Sequence, residues 1–456
     1  MTSSSFPASA SSSSASSALS RSAASAAPAR LALKGDLLDF TAAPAWARVD
    51  DPAVRFRPGH WLLIEQGRIV GVQADDPGEG WQREDHSGRL ILPGFVDTHV
   101  HSPQLDVIAS YGTELLDWLN TYTFPAERRY QDPDVAQEGA ARFLDALLAH
   151  GTTAAVVYPT VHKVSAEALF EAAAARGMRL ITGKILMDRH APDGLRDDVH
   201  QAERDCLDLI ARHHRRERLA YAVTVRFAPT STPEQLAMAG ALCRADPTLY
   251  MQTHVAENRS EVDWVARLFP EARSYLDVYD RVGLLHPRAV LAHGIWLDET
   301  DRAVLARTGA QIAHCPSSNL FLGSGLFDWP AHLAAGVAVS VASDVGGGTS
   351  LSTQRTLSDG YKVQALKGQR MTAWCGLHAA TRGAAEALDL SSELGHFDPG
   401  TLADVCIWDW ASGPVAQGRM DLARDLHERV FAWMTLSDER NLVASYVAGV
   451  ARFRRD

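Results

Sequence analysis

Apolar runs alternate with amphipathic stretches through the central part of the chain. Eight short apolar runs have the length and composition of buried strands. They are residues 95–101, 152–158, 180–187, 221–227, 250–254, 289–293, 310–314 and 337–344. Segments in which apolar residues recur with helical spacing lie between most of these runs, for example at 134–149, 166–175, 233–243 and 260–268. This alternation predicts an α/β protein with a (β/α)₈ barrel of the TIM type.

Shorter apolar runs separated by turn-rich segments lie at both ends of the chain, as is typical of a small β domain. They are residues 31–33, 61–65, 67–72 and 90–92 before the barrel, and 403–408, 442–447 and 450–453 after it. We therefore expect one small β-sandwich domain built from both chain ends. Its predicted parts are residues 31–92 and 395–456, and the barrel is predicted to cover residues 93–394.

The first 30 residues are almost entirely Ser and Ala and contain no acidic residue. Such a segment buries too little apolar surface to offset its ordering entropy, so we expect it to be a disordered extension. Its arginines, Arg21 and Arg30, and its lack of acids are also typical of an organelle transit peptide. A plain flexible tail and a start codon assigned too early are the alternatives.

The composition of the 456 residues is that of a globular protein, with 46% hydrophobic and 22% charged residues. The formal charge of −11 argues against a general nucleic-acid or anionic-membrane binder, which needs a basic face. No apolar run approaches the roughly 18 residues of a membrane span. The five cysteines are scattered, which excludes a disulfide framework and a thiolate zinc site. We expect a reduced, cytoplasmic protein.

Ligand-type residues lie where several predicted strands end. His99 and His101 end the first strand, and their spacing of two puts both imidazoles on one face. His254 ends the fifth strand, His293 the sixth and Asp344 the eighth. Functional side chains of such barrels lie at this carboxyl-terminal face. Three imidazoles and a carboxylate suit a divalent ion such as Zn²⁺ or Fe²⁺.

A single histidine is a weak signal, because the chain contains 18 of them. We expect several others to be ordinary polar residues and not ligands. They are His150, His162, His190, His286 and His314. An HxH pair alone is also weak, but HxH together with His254, His293 and Asp344 at the ends of three later strands is a strong joint signal.

Several motifs resemble the amidohydrolase superfamily of metal-dependent barrel hydrolases. They are PGFVDTHVH at 93–101, HVAE at 254–257, LAHG at 291–294 and VASD at 341–344. The β domain built from both ends also matches that superfamily. The likeness covers roughly residues 30–456, and the Ser/Ala-rich extension lies outside it.

Further motifs resemble the branch of that superfamily that deaminates guanine. They are HSPQ at 101–104, LDWLNTYTFP at 116–125, GKILMD at 183–188, VRFAP at 225–229, HCPSSN at 314–319 and SDVGGGTS at 343–350. The second and last are the most diagnostic, because neighbouring deaminases do not share them as a set. The resemblance implies hydrolysis of guanine to xanthine and ammonia, a role in purine catabolism and a homodimer.

The resemblance also implies the roles of the strand-end residues. The metal ligands would be His99, His101, His254 and Asp344. His293 would bind the activated water or the developing oxyanion, and Glu257 would move protons between water and the purine ring. Asp344 would also accept a hydrogen bond from the water, which makes it a catalytic residue. The ordinary alternative for Glu257 is an exposed helix-capping acid.

The expected metal count is one, with Zn²⁺ or Fe²⁺ as the ion. Dinuclear relatives use a carboxylated lysine at the end of the fourth strand. Here the fourth strand ends in Arg226 and Phe227, and the nearest lysine, Lys184, falls on the third strand.

Recognition of a purine needs hydrogen-bonding groups for its edge and apolar surface for its faces. Gln104 and Arg226 offer donors, and Phe227 and Trp118 offer flat apolar contact. The predicted substrate-binding residues are Gln104, Trp118, Leu119, Arg226, Phe227, His254, Glu257 and Asp344. The alternatives are a structural salt bridge with a helix acid for Arg226 and core packing for Trp118.

Two other functions stay open on the sequence. The same machinery serves other amino-substituted heterocycles, such as 8-oxoguanine, a pterin or an aminotriazine. The second open function is a catalytically inactive barrel that acts as a scaffold, although such proteins usually lose their metal-ligating residues. The run Gly346-Gly347-Gly348 lacks the lysine and helix of a P-loop, so we expect it to allow close backbone approach beside the metal.

Overall fold

The computed structural model describes residues 28–111 and 115–455. The predicted disordered extension lies outside this range up to residue 27. Within it, the strands are β1 Arg30–Phe40, β2 Val54–Glu65, β3 Arg68–Gln73, β4 Gln82–Pro93, β5 Phe95–His101, β6 Thr152–Tyr158, β7 Arg179–Thr182, β8 Ile185–Leu186, β9 Leu219–Val225, β10 Tyr250–Val255, β11 Ala289–His293, β12 Gln311–His314, β13 Val339–Val341, β14 Val405–Trp408, β15 Leu442–Val447 and β16 Val450–Arg454.

The α-helices follow the barrel strands and also fill the region after them. They are α1 Leu115–Trp118, α2 Phe124–Arg128, α3 Pro133–Ala149, α4 Lys163–Arg176, α5 Val199–His213, α6 Pro233–Ala245, α7 Arg259–Leu268, α8 Tyr275–Asp280, α9 Glu299–Thr308, α10 Pro316–Phe321, α11 Trp329–Ala334, α12 Thr353–Leu366, α13 Ala373–Ala379, α14 Arg382–Ala387, α15 Pro414–Asp421 and α16 Leu426–Leu436. A π-helical turn, Leu119–Thr123, joins α1 to α2. None of the helices described is both long and apolar enough to cross a membrane.

Strands β5 to β13 form the predicted barrel sheet, in the order β13-β12-β11-β10-β9-β7-β6-β5, with β8 paired to β9. Every pairing in it is parallel. Strands β5, β6 and β9 are buried along their whole length, because helices and the barrel interior cover both faces. The third predicted strand is divided into β7 and β8 at Gly183, which packs directly against the backbone of Ala222.

The first and last barrel strands meet through side chains and strand ends. The hydroxyls of Thr98 and Ser340 lie 2.8 Å apart. The backbone N–H of Asp344 donates to the carbonyl of His99, and that of His101 donates to the carbonyl of Val345, both at 2.9 Å. The predicted eight-stranded barrel is thereby confirmed, and its closure brings the ends of β5 and β13 together.

The second sheet has seven strands from both chain ends, in the order β16-β15-β14-β4-β1-β2-β3. Its first strands are longer than the apolar runs predict, because β1 and β2 stay paired from residue 30 to residue 40 through polar positions. Helices α15 and α16, which the sequence pattern did not predict, lie between β14 and β15, and α16 packs on α12 and α13. The domain boundaries stay a prediction.

Candidate active site

Four predicted ligands converge at the carboxyl-terminal face of the barrel. His99 and His101 come from β5, His254 from β10, and Asp344 from the segment after β13. Nε2 of His101 lies 3.2 Å from Nε2 of both His99 and His254. One oxygen of Asp344, Oδ1, lies 3.2 Å from Nε2 of His99 and 3.3 Å from Nε2 of His101. The ligand-type atoms of all four residues lie within 4.8 Å of one another.

The charge state of this cluster suits a cation. Burial lowers the pKa of His99 and that of His254, and lowers the pKa of His101 to about 3, so these imidazoles are neutral. Burial raises the pKa of Asp344, but the adjacent imidazoles of His101 and His99 outweigh this effect and hold that pKa well below its ordinary value. Nδ1 of His254 donates to the carbonyl of Arg226 at 2.6 Å, so its Nε2 lone pair faces the cluster. Three convergent lone pairs beside a carboxylate fit a divalent metal ion.

The backbone at two of these strand ends is strained. His293 and Asp344 have φ angles of +72° and +48°, in the left-handed region that residues with a side chain rarely adopt. Ala256, just after β10, has a φ of +49°. Such conformations persist where the surrounding structure holds them, and they cluster at functional sites.

Glu257 and His293 lie beside the cluster. Oε2 of Glu257 is 3.5 Å from Nε2 of His293, and the Ser324 hydroxyl donates to Oε1 of Glu257 at 2.9 Å. Glu257 is buried, not an exposed cap, and burial raises its pKa to about 7. Burial lowers the pKa of His293, but the carboxylates of Glu257 and Asp344 outweigh it and raise that pKa above its ordinary value. The pair can therefore exchange a proton near neutral pH.

Asn319 holds both members of this pair, and the sequence reasoning assigned it no role. Its Oδ1 lies 2.8 Å from Nδ1 of His293. Its carbonyl accepts the backbone N–H of Ser324 at 2.9 Å, which places the hydroxyl that bonds Glu257. The only signal for it in the sequence is its position at the end of the HCPSSN motif.

A pocket opens beside the cluster. Its lining residues are His101, Gln104, Leu115, Trp118, Leu119, Arg226, Phe227, His254, Glu257, Glu261, His293, Leu322, Asp344 and Gly347. Every predicted substrate-binding residue is among them. Trp118 also belongs to a buried apolar cluster, and its indole N–H donates to the carbonyl of Ser110 at 3.2 Å. It therefore both packs in the core and faces the pocket.

Arg226 forms a salt bridge with Glu127, an acidic residue of helix α2. This is the structural alternative that the sequence left open for Arg226. Nη1 of Arg226 lies 2.9 and 2.7 Å from the two oxygens of Glu127. The Gln104 amide also donates to Glu127, at 3.2 Å, and the backbone N–H of Gly346 donates to Oε1 of Gln104 at 3.3 Å. Arg226 thus has a salt bridge and lines the pocket at once. Glu127, two residues beyond the LDWLNTYTFP motif, was missed.

The glycine run beside the ligands allows the close approach that we expected. A Cβ at Gly346 would lie 2.7 Å from the carbonyl oxygen of Gln104. Upstream, Asp97 accepts the backbone N–H groups of His99 and Ser343, at 3.3 and 3.1 Å, and ties the first ligand strand to the last.

Lys184 and His314 lie outside the ligand cluster. Nζ of Lys184 lies 2.6 Å from Oδ1 of Asp197, where the pair is buried. The His314 ring stacks on Phe327 at 4.5 Å between centroids. The other four histidines expected to be ordinary residues are also absent from the groups of possible ligands in the described part of the chain.

The chain is similar along most of its length to proteins of known activity. The amidohydrolase family model matches residues 90–451. A guanine deaminase of Escherichia coli strain K12 is 41% identical over 435 residues, which are 93% of this chain and 98% of that protein. The solved structure of E. coli guanine deaminase has a TM-score of 0.89 at 40% identity and covers 94% of this chain and 99% of that one. A crystal structure of guanine deaminase from C. acetobutylicum with guanine bound in the active site has a TM-score of 0.84 at 26% identity, and covers 93% and 100%.

Proposed function

The chain belongs to the amidohydrolase family, and from this premise we propose that it is a guanine deaminase, which hydrolyses guanine to xanthine and ammonia. The observation that carries the proposal is one pocket that joins the ligand cluster, the Glu257–His293 pair and the Arg226–Gln104 edge. The lining of this pocket includes both the groups that we propose for proton transfer and the groups that we propose for recognition of the base.

We propose that His99, His101, His254 and Asp344 hold a single Zn²⁺ ion, with Fe²⁺ as the alternative. When bound, such an ion lowers the pKa of water to about 7 and supplies a nucleophile at neutral pH. The engagement of Lys184 with Asp197 supports a single ion, because that lysine is the nearest candidate for a bridging carbamate. A donor set of three imidazole nitrogens and one carboxylate oxygen supports zinc or iron over a harder cation.

In the proposed reaction, water attacks C2 of guanine and one of its protons goes to a ring nitrogen. Its second proton goes to the C2 amino group, which leaves as ammonia while the added oxygen becomes the C2 carbonyl of xanthine. Glu257 accepts the proton of the water and delivers it to the ring nitrogen, and its pKa of about 7 suits both steps. His293 faces Glu257 and Asp344 and stabilises the oxyanion that develops on the attacking oxygen. Asp344 has a second oxygen, Oδ2, that accepts a hydrogen bond from the water.

We propose that Arg226 and Gln104 donate to the acceptors of the purine, while Phe227, Trp118 and Leu119 contact its faces. The two polar residues are only 3% exposed, so their hydrogen-bonding groups act in a dry site. A buried donor that meets no acceptor is costly, and this supports strong discrimination between bases.

The finer biological setting is also a proposal. Five unpaired, buried cysteines support a reducing compartment, and we propose the cytoplasm. Conversion of guanine to xanthine would place the protein in purine catabolism. The homodimer rests on the family resemblance alone.

A substrate panel with ammonia detection tests the proposed function. Purified protein is given guanine, adenine, cytosine and 8-oxoguanine, with xanthine formation followed by its absorbance and Glu257→Gln as the inactive control. We expect equal amounts of ammonia and xanthine from guanine, and little ammonia from the other bases. Turnover of another heterocycle in place of guanine would contradict the proposal.

A further inference from the structure

Glu127 is a fully buried carboxylate that connects the two polar recognition residues. Its side chain is 0% exposed, and it lies on α2, away from the strand ends that carry the ligands. Arg226 reaches it from the end of β9, and Gln104 reaches it from the segment after β5. Burying a carboxylate is costly unless it is paired, and these two donors provide that pairing.

The geometry of the pair leaves part of each donor for a ligand. Glu127 takes Arg226 through Nη1 alone, with both carboxylate oxygens on that one nitrogen. Nη2 of Arg226 makes no hydrogen bond to the residues that the structure describes, and Arg226 lines the pocket. The Gln104 amide has its oxygen on the N–H of Gly346 and one hydrogen of Nε2 on Glu127, so its second hydrogen stays available.

Helix α2 also fixes the plane of the guanidinium. Phe124 lies one turn before Glu127 on the same helix face, and the Arg226 Cζ lies 5.1 Å from the centre of its ring. One short helix thus provides both an ion-pair partner and an aromatic face, which hold a planar cation in one orientation.

Glu127 also determines the charge that a ligand meets. A guanidinium is always protonated, so without Glu127 the buried Arg226 would lose the ion-pair partner that it has in this structure. With Glu127 the Arg226 pair is neutral overall while it still donates hydrogen bonds. A site of this kind favours an uncharged heterocycle with acceptor atoms over an anionic one.

We propose that Glu127 is a positioning and specificity-determining residue: it orients Arg226 and Gln104 toward the acceptor edge of the base and selects an uncharged purine over an anion. This inference rests on the proposed function. It assigns to α2 a role in choosing the substrate, although Glu127 acts through Arg226 and Gln104 and not on the base itself.

The experiment compares Glu127→Gln and Glu127→Asp with the wild type. The quantities measured are KM, kcat and inhibition by xanthine, which ionises more readily than guanine. Glu127→Gln removes the charge, so we expect KM for guanine to rise about 10- to 100-fold with a smaller change in kcat. As the pH rises, xanthine becomes an anion. We then expect the inhibition constant of xanthine for this variant to fall relative to its KM for guanine. Glu127→Asp keeps the charge and retracts the carboxylate, so KM rises while the preference for the uncharged ligand stays.

The matched control is Asp404→Asn. Asp404 is also buried and accepts from a guanidinium, that of Arg218, at 3.0 and 2.6 Å, but it does not line the pocket. Its loss should lower stability and leave KM and xanthine inhibition unchanged. Since Glu127 acts through Arg226, Glu127→Gln or Glu127→Asp should raise KM by a smaller factor in an Arg226→Met background than in the wild type.

Two results would overturn the inference. The first is an unchanged KM in both Glu127 variants. The second is a change in KM that is as large in the Arg226→Met background as in the wild type. If Glu127→Gln does not fold, Glu127→Asp alone still gives the KM comparison and the additivity comparison. Failure of the wild type to deaminate guanine is a separate result, because it contradicts the proposed function and not the role of the carboxylate.

Discussion

The carbonyl oxygen of Arg226 accepts a hydrogen bond from Nδ1 of His254 at 2.6 Å. One residue therefore serves both halves of the proposed site, since its backbone orients a proposed metal ligand and its side chain lines the pocket. A change of the Arg226 side chain leaves that carbonyl in place. Metal binding and base recognition should then be separable by mutation.

The first prediction concerns the metal. Purified protein should contain about one equivalent of Zn²⁺ or Fe²⁺ per chain by elemental analysis. His254→Ala should lose it, because this change removes one of three neutral imidazoles and opens the cage.

His286→Ala is the control, because His286 precedes β11 at the opposite end of the barrel strand from the ligands. It should keep its metal. Two equivalents in the wild type, with Lys184 carboxylated, would contradict the mononuclear site.

The second prediction separates metal binding from proton transfer. Glu257→Gln should keep the metal and still bind guanine, because Glu257 is not in the ligand group. Loss of a positioned acid–base group typically lowers kcat about 10²- to 10⁴-fold, and we expect the upper end because this residue serves more than one step. The measurement is kcat together with the metal content of the same sample. Turnover near that of the wild type would remove Glu257 from the mechanism.

The third prediction concerns Asn319, which holds His293 directly and Glu257 through Ser324. Asn319→Ala should lower kcat by about 10- to 100-fold, because a buried imidazole loses its hydrogen-bond partner. The KM for guanine should change little. Asn319→Asp keeps an acceptor oxygen and should restore much of the activity. An equal loss of kcat in the two variants would show that the hydrogen bond to His293 does not account for the effect.

The barrel and the convergence of the four candidate ligands could be predicted because both depend on local pattern. His99 and His101 share a strand face by the period of two, and the carboxyl ends of parallel strands all lie at the same end of the barrel. His254, near the end of β10, and Asp344, three residues beyond β13, are therefore expected at this same end. These positions required only the order of the strands.

The supporting contacts could not be predicted in this way. Glu127 and Arg226 are 99 positions apart, and the distance between them depends on how α2 packs over the pocket. Similarly, Asn319 reaches His293 only because α10 begins at Pro316, just after β12. No periodicity in the sequence encodes such packing. Helices α15 and α16 were missed because they interrupt the strands of the second sheet.

The fourth prediction concerns acid stability and Glu84, a half-buried residue of the second sheet. Burial raises its pKa, but hydrogen bonds from His86, Tyr446 and Arg454 outweigh it and lower the pKa to about 2. A folded-state pKa below the ordinary value of 4.5 stabilises the fold above about pH 4.5. That stabilisation should be lost as the pH falls from about 4.5 to about 2.

The measurement is the difference in Tm between the wild type and Glu84→Gln as a function of pH. We expect the wild type to be the more stable near neutral pH and the difference to shrink toward zero in acid. Glu79→Gln, at an exposed position before β4, is the control and should show little difference at any pH. A difference for Glu84→Gln that does not vary with pH would rule out the ionised carboxylate as its cause.

The last prediction concerns the choice of base. Guanine presents O6 and N7 as acceptors on an edge away from its reactive C2, whereas adenine presents an amino donor where guanine has O6. A guanidinium held by Glu127 therefore meets acceptors in guanine and a donor in adenine, and it leaves a buried group unpaired with the wrong base. Sites of this kind reject the mismatched base by about 10⁴- to 10⁵-fold. Arg226→Met and Arg226→Ala should lose most of that preference but retain the metal, because the carbonyl that holds His254 remains. The test is kcat/KM for guanine and for adenine in each protein, with metal content measured alongside. Equal use of the two bases by the wild type, or full discrimination in both variants, would contradict this role for Arg226.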